Sequence, residues 1–137
     1  MLSRGYYRLK PDTPGQLGNK TVSDTHVQFI FDDWFGDDLI ACSSFFLITE
    51  KLVNKLEGAS LKGYNIRNAE IEFSPLFYDL NGNKNVPRFK WLYINGLPED
   101  DFFIDEEGSL VVSSVAYEQI RSKGNIDNCE VELLINA

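Results

Sequence analysis

Two stretches of this chain run through the same order of residues, and that order limits the folds open to it. Phe46-Leu47-Ile48-Thr49 and Leu110-Val111-Val112-Ser113 are both apolar triplets closed by a hydroxyl side chain. An apolar triplet suits a buried strand. A Thr or Ser behind it is a good helix N-cap, because its oxygen accepts from an orphan N–H of the first turn. Leu52, Val53 and Leu56 then mark one helix face, and Val115, Ala116, Gln119 and Ile120 the other, with Gly58 and Gly124 as stops. Beyond the helices, residues 66–72 (IRNAEIE) align with residues 126–132 (IDNCEVE), identical at four of seven positions. Upstream, Asp37 and Ile40 align with Asp101 and Ile104 without a gap. The repeat units therefore span about 37–72 and 101–132, each reading acidic turn, strand, capped helix, loop, strand. Two units are too few for a solenoid, so they are expected as halves around one core.

The remaining segments read as strands and loops. Tyr6–Leu9, His26–Phe31, Ala69–Phe77, Phe89–Asn95 and Glu130–Ile135 carry strand patterns. Pro75 places the end of its strand at an edge or bulge. On the aromatic strand, Phe89, Trp91 and Tyr93 point one way and Lys90, Leu92 and Ile94 the other, so the rings are expected in the core. Pro11–Asn19 is expected as an exposed loop, and Asp79-Leu80-Asn81-Gly82-Asn83 as a turn. The fold class is α+β: a single domain over 1–137, a mostly antiparallel sheet of about five to seven strands, and two principal helices, Thr49–Gly58 and Ser113–Lys123. Strand–helix–strand units also permit parallel pairing.

Composition narrows the class of function. Ten Phe, six Tyr and two Trp supply a core without disulfide or metal, which excludes a disordered chain. Cys42 and Cys129 form no CxxC pair and are expected as reduced, inert thiols, Cys129 standing where the repeat has Ala69. The stretch Met1–Lys10 lacks a signal-like apolar run, and no stretch has the ~20 apolar residues of a membrane span. A cytoplasmic location without membrane association is expected. The net charge of −8 repels phosphate backbones and favours cationic partners. The basic residues are scattered, so nucleic-acid binding is not expected.

The residues for catalysis are missing as motifs. His26 is the only histidine, and it sits in a strand pattern without a nucleophile elbow. Cys42, Cys129 and His26 lack zinc-ligand spacing. The segment Asp32–Asp38 lacks the closing Glu of a calcium loop. No enzyme activity, cofactor or metal is expected. Two acidic clusters remain as candidate partner-binding residues: Asp32, Asp33, Asp37 and Asp38 with Trp34 and Phe35 as apolar anchors, and Glu99, Asp100, Asp101, Asp105, Glu106 and Glu107.

Residues Asp37-Asp38-Leu39-Ile40, then Phe46 through Leu56, then Ile71-Glu72-Phe73-Ser74-Pro75-Leu76, resemble bacterial polymorphic-toxin immunity proteins. One group of these carries an acidic-aromatic segment, an apolar strand ending in a helix cap, a helix, and a strand ending in proline. Trp91–Asn95 and Leu110–Ser113 resemble that group's second half, so the likeness covers roughly residues 29 to 135. Thr49 stands where the group usually has serine. The resemblance implies an inhibitor that binds a cognate toxin domain in the cytoplasm and carries no catalytic residues. A basic, nuclease-like toxin would suit the acidic clusters. The alternative is a non-catalytic adaptor with several protein ligands and no toxin gene beside its own.

Overall fold

The computed structural model describes residues 5–134. The chain folds around the two Thr/Ser-capped helices. In the first unit, strand β4 (Leu39–Cys42) turns back as β5 (Phe45–Thr49), enters helix α1 (Glu50–Leu56) with a following 3-10 turn, and returns as β6 (Tyr64–Arg67). In the second, β9 (Phe102–Ile104) turns back as β10 (Leu110–Ser113), enters α3 (Ser114–Lys123), and returns as β11 (Glu130–Leu134). Each unit is completed by a strand from elsewhere. Strand β8 (Phe89–Ile94) gives the sheet order β4-β5-β8-β6, and β1 (Tyr6–Lys10) gives β9-β10-β1-β11. The two sheets thus have equivalent strand order, and all their pairings are antiparallel.

A third sheet, β2 (Gly15–Leu17), β3 (Gln28–Phe31) and β7 (Glu70–Phe73), contains a parallel pairing, β3 with β7. Helix α2 (Pro75–Asn81) follows β7. The molecule is a single small α+β domain with eleven strands and three α-helices among the described residues. That exceeds the expected five to seven strands in one sheet and two helices: β2, β4, β6 and β9 are additional short strands, the strands form three sheets, and α2 is an additional helix. The expected loop at 11–19 contains β2, which lies so close to β3 that a Cβ on Gly15 would sit 2.1 Å from the Ile30 carbonyl oxygen. The expected strand end at Phe77 is instead α2: Ser74 Oγ accepts from Phe77 N at 3.2 Å, Pro75 occupies the first turn, and Gly82 closes the helix with its N–H on Tyr78 O. A Ser-Pro start competes well with a strand ending, because proline removes a ladder donor but none that a helix needs.

Two apolar clusters hold the layers. In the first, Leu52, Val53 and Leu56 of α1 and Ala116 and Ile120 of α3 form one buried cluster with Leu9, Ile48, Leu92, Phe102 and Val112 of the two equivalent sheets. The helices also cap each other: Lys55 Nζ donates to Lys123 O and Lys123 Nζ to Lys55 O. In the second, Phe89 and Trp91 of β8 meet Phe29 and Phe31 of β3 and Phe77 of α2. Strand β8 is therefore buried on both faces. Each fully buried Phe or Leu here stabilises by about 1.5–3 kcal/mol relative to an exposed one.

The spatial correspondence differs from the sequence alignment in two places. Leu39 pairs with Ile48, and Phe102 with Val112, so Asp38 rather than Asp37 is the counterpart of Asp101. The one-residue shift is absorbed by the longer β9–β10 turn. The counterpart of β11 is β6, not the aligned 69–72 segment: β11 pairs with β1 as β6 pairs with β8, while β7 belongs to the third sheet. The identities between 66–72 and 126–132 therefore do not mark equivalent strands, and Cys129 does not occupy the place of Ala69.

Candidate partner-binding site

The acidic clusters divide into interior and surface groups. The interior group is built on the helix caps. Thr49 Oγ1 accepts from Leu52 N at 3.3 Å and donates to Asp38 Oδ1 at 2.9 Å. Ser113 Oγ accepts from Ala116 N at 3.1 Å and donates to Asp101 Oδ1 at 2.7 Å. The second oxygen of each carboxylate crosses to the other unit. Asp38 Oδ2 accepts from Asn125 N at 2.7 Å, just after α3. Asp101 Oδ2 accepts from Lys62 N at 2.8 Å, in the loop after α1. Each aspartate thus anchors the cap of its own helix and the exit loop of the other.

Asp37 is fully buried and accepts from Asn128 N at 3.0 Å and Asn128 Nδ2 at 2.8 Å. Burial pushes its carboxyl above the ordinary value, the Asn128 hydrogen bonds pull it back in part, and Asp12 and Asp127 push it further up. Asp37, Asp38 and Asp101 were expected to face a partner. They are buried, and their carboxylate oxygens are hydrogen-bonded within the fold.

The rest of the first cluster is a surface loop tied to α2. Asp33 Oδ1 accepts from Trp34 N at 2.8 Å and from Asn81 Nδ2 of α2 at 3.0 Å. Trp34 Nε1 donates to Asp37 O at 2.9 Å, and its ring packs edge-on to Phe89. Trp34 is therefore half-buried, whereas Phe35 is 60 % exposed. Asp32 is half-buried, and its carboxylate accepts from the Gln16 amide at 3.3 Å.

In the second cluster, Asp100 Oδ2 accepts from Leu97 N at 2.8 Å and fixes a turn that leaves Leu97 73 % exposed. Glu99, Glu106 and Glu107 are exposed. Asp105 accepts from the N–H groups of Glu107 and Ser109, each at 2.9 Å, and pairs with Arg8 Nε at 3.1 Å. Partial burial pulls its carboxyl upward, but the Ser109 N–H, the Arg8 guanidinium and the Glu107 N–H outweigh it and hold the carboxyl below its ordinary value. A carboxyl lowered on folding adds stability above its unfolded value, and that stability is lost as pH falls through the folded value. Asp105→Asn is therefore expected to be less stable than wild type at pH 7, with the difference closing below about pH 4. Urea titrations across pH 2–7 measure this.

His26 Nε2 lies 3.0 Å from Glu70 Oε1, at the edge of the third sheet, with no nucleophile among its bonded partners. No group of three or more His, Cys, Asp or Glu residues suited to a metal ion occurs among the described residues. Both cysteines are free. Burial pushes the Cys129 thiol up to about 12, which leaves a negligible thiolate fraction at neutral pH. Iodoacetamide at pH 8 is expected to alkylate Cys129 about a thousandfold more slowly than a solvent-exposed cysteine. Timed mass spectrometry checks this.

Sequence reasoning missed α2 and what it displays. Leu76, Tyr78 and Leu80 are 50 %, 55 % and 58 % exposed, while Phe77 alone is buried. The Ser74-Pro75 start and Gly82 stop were the available signals. No helix among the described residues is long and apolar enough to cross a membrane. No known protein-family profile matches the chain, and no curated protein matches its sequence.

Proposed function

We propose that this protein is an immunity-type inhibitor that binds and neutralises a cognate toxin domain in the bacterial cytoplasm. The observation that carries the reading is the unbalanced charge of residues 95–108, which hold six acidic residues and no lysine or arginine. Asp101 is spent inside the fold and Asp105 on Arg8. Glu99, Asp100, Glu106 and Glu107 remain at the surface or half-exposed. With a net charge of −8, this field draws a basic partner and repels a second acidic molecule. The interior aspartates serve the fold.

Co-expression with the toxin encoded beside its gene is expected to restore growth, and the purified pair is expected to form a complex that weakens with added salt. Charge reversal of Glu99, Asp100, Glu106 and Glu107 to lysine should slow association about tenfold or more at low salt. An absence of both protection and complex overturns the reading.

A further inference from the structure

We infer that the open edge of strand β11 takes up an extended, basic segment of the partner protein as an added strand. The inference rests on the inhibitor reading and names the element that makes the contact. Strand β11 is the outermost of its sheet and pairs with β1 alone. The Ser114 N–H donates to Gly5 O at 2.8 Å. By alternation, Gly5, Tyr7 and Leu9 bond toward β10, and Tyr6, Arg8 and Lys10 toward β11. The same alternation along β11 turns the N–H and C=O groups of Val131 and Leu133 away from the sheet. No backbone hydrogen bond from another described residue reaches them. Open edges are commonly blunted by proline, lysine or a bulge, and β11 has none of these. Val131 and Leu133 are 39 % and 60 % exposed. The counterpart strand β6 instead packs Tyr64 and Ile66 against the first apolar cluster.

The two faces of β11 specify the occupant. Val131 stands beside Leu9 and Leu133 beside Tyr7, on the face that holds the first cluster. Glu130 stands beside Lys10 and Glu132 beside Arg8, on the opposite face. There the Arg8 guanidinium is shared: Nε pairs with Asp105 at 3.1 Å and Nη1 with Glu132 at 2.7 Å. Arg8 thus joins the β11 edge to the acidic turn that carries Glu106 and Glu107. Asp105, Glu106, Glu107, Glu130 and Glu132 stand there with two cations, Arg8 and Lys10. An added strand that alternates apolar and basic residues sets the apolar ones beside Val131 and Leu133. Its lysines or arginines then fall beside Glu130 and Glu132. Main-chain bonds to Val131 and Leu133 hold it, in the strand-addition manner. A second copy would bring two more edge glutamates against these, and like charges facing across a ladder repel.

The test uses the full chain and the inactivated toxin domain encoded beside its gene. Leu133→Pro removes an outward N–H and no bond to β1, so the circular dichroism spectrum and the urea midpoint should stay near wild type. Val131→Lys with Leu133→Lys keeps the backbone donors and opposes a basic strand, and it decides the matter if the proline variant fails to fold. Calorimetry should show a rise in Kd of about twentyfold or more for each. By NMR, the Val131 and Leu133 amides should exchange rapidly in the free chain and about a hundredfold more slowly in the complex. If the folded variants bind within about threefold of wild type, or if those two amides exchange equally fast in the complex, strand addition is overturned and the inhibitor reading stands. No binding by the wild-type chain overturns both. A protein that sediments alone as a dimer, and as a monomer when Val131 and Leu133 are replaced by lysine, assigns the edge to a second copy and overturns the basic strand.

Discussion

Asp101→Ala is expected to cost about 2–5 kcal/mol, because it strands two donors at once. The Ser113 hydroxyl loses its acceptor in the interior, and the Lys62 N–H loses a part-buried one. The helix cap weakens as well, since the Ser113 oxygen is oriented by that carboxylate while it accepts from Ala116 N. Asp38→Ala should behave alike, stranding Thr49 Oγ1 and Asn125 N. Each loss corresponds to a fall in Tm on the order of 10 °C. Urea denaturation measures it, with Asp100→Ala as the control. That carboxylate holds only the Leu97 N–H in a surface turn, so its removal should cost about 1 kcal/mol or less. If Asp101→Ala unfolds at the wild-type midpoint, the carboxylate has no structural role and rejoins the candidates for partner contact.

A still larger loss is expected from Gly63→Ala, at the same joint between the units. Gly63 has φ +108°, and an added Cβ would meet the Phe102 carbonyl oxygen at 2.1 Å. Both problems are backbone problems, so no rotamer change relieves them. Strand β9 would have to move, breaking the 3.0 Å bond from Phe102 N to Lys62 O and unseating a fully buried Phe102 ring. The combined strain and cavity place the cost at about 4 kcal/mol or more, enough to leave little folded protein at 37 °C. Gly96 approaches the same oxygen, at 2.0 Å from a built Cβ, and its alanine variant should fail similarly. Gly58→Ala is the control: nothing lies within 4 Å of its Cβ, and a change of about 1 kcal/mol or less is expected. A Gly63→Ala protein with wild-type stability would show that β9 yields, contrary to a tightly packed joint.

Much of the local structure was legible because its causes are local. Thr49 and Ser113 start the two helices as their neighbours dictate, and both oxygens accept from the N–H three residues on. The aromatic alternation of 89–94 correctly sends Phe89 and Trp91 into one cluster, and Leu92 goes to the other. The failures also have identifiable causes. The 74–82 helix was overlooked because Phe73 and Phe77 continue a strand-like apolar pattern, although Ser74, Pro75 and Gly82 spell out both helix ends. The match of 66–72 with 126–132 misled because short strands flanked by Asn and Glu recur for reasons of turn chemistry and solubility. Pairing depends on which strand lies alongside, and that is a long-range choice.

The candidate site divides along the same line. Acidity and the two clusters were plain from composition, but an aspartate's letter is the same whether it faces water or a Thr hydroxyl. Only burial and hydrogen bonding separate Asp37, Asp38 and Asp101, held inside, from Glu99, Glu106 and Glu107, left outside. By itself, then, the sequence determined the α+β class, the two capped helices and the surplus of negative charge, all of which follow from near neighbours and counts. The tertiary structure alone decided that β8 and β1 complete two equivalent sheets, and that the matched acidic turns became the clasp between them. It also left Leu76 and Leu80 uncovered. Each of those outcomes is set by groups distant in sequence meeting in space, where a carboxylate stays buried only when other segments arrive to satisfy both of its oxygens.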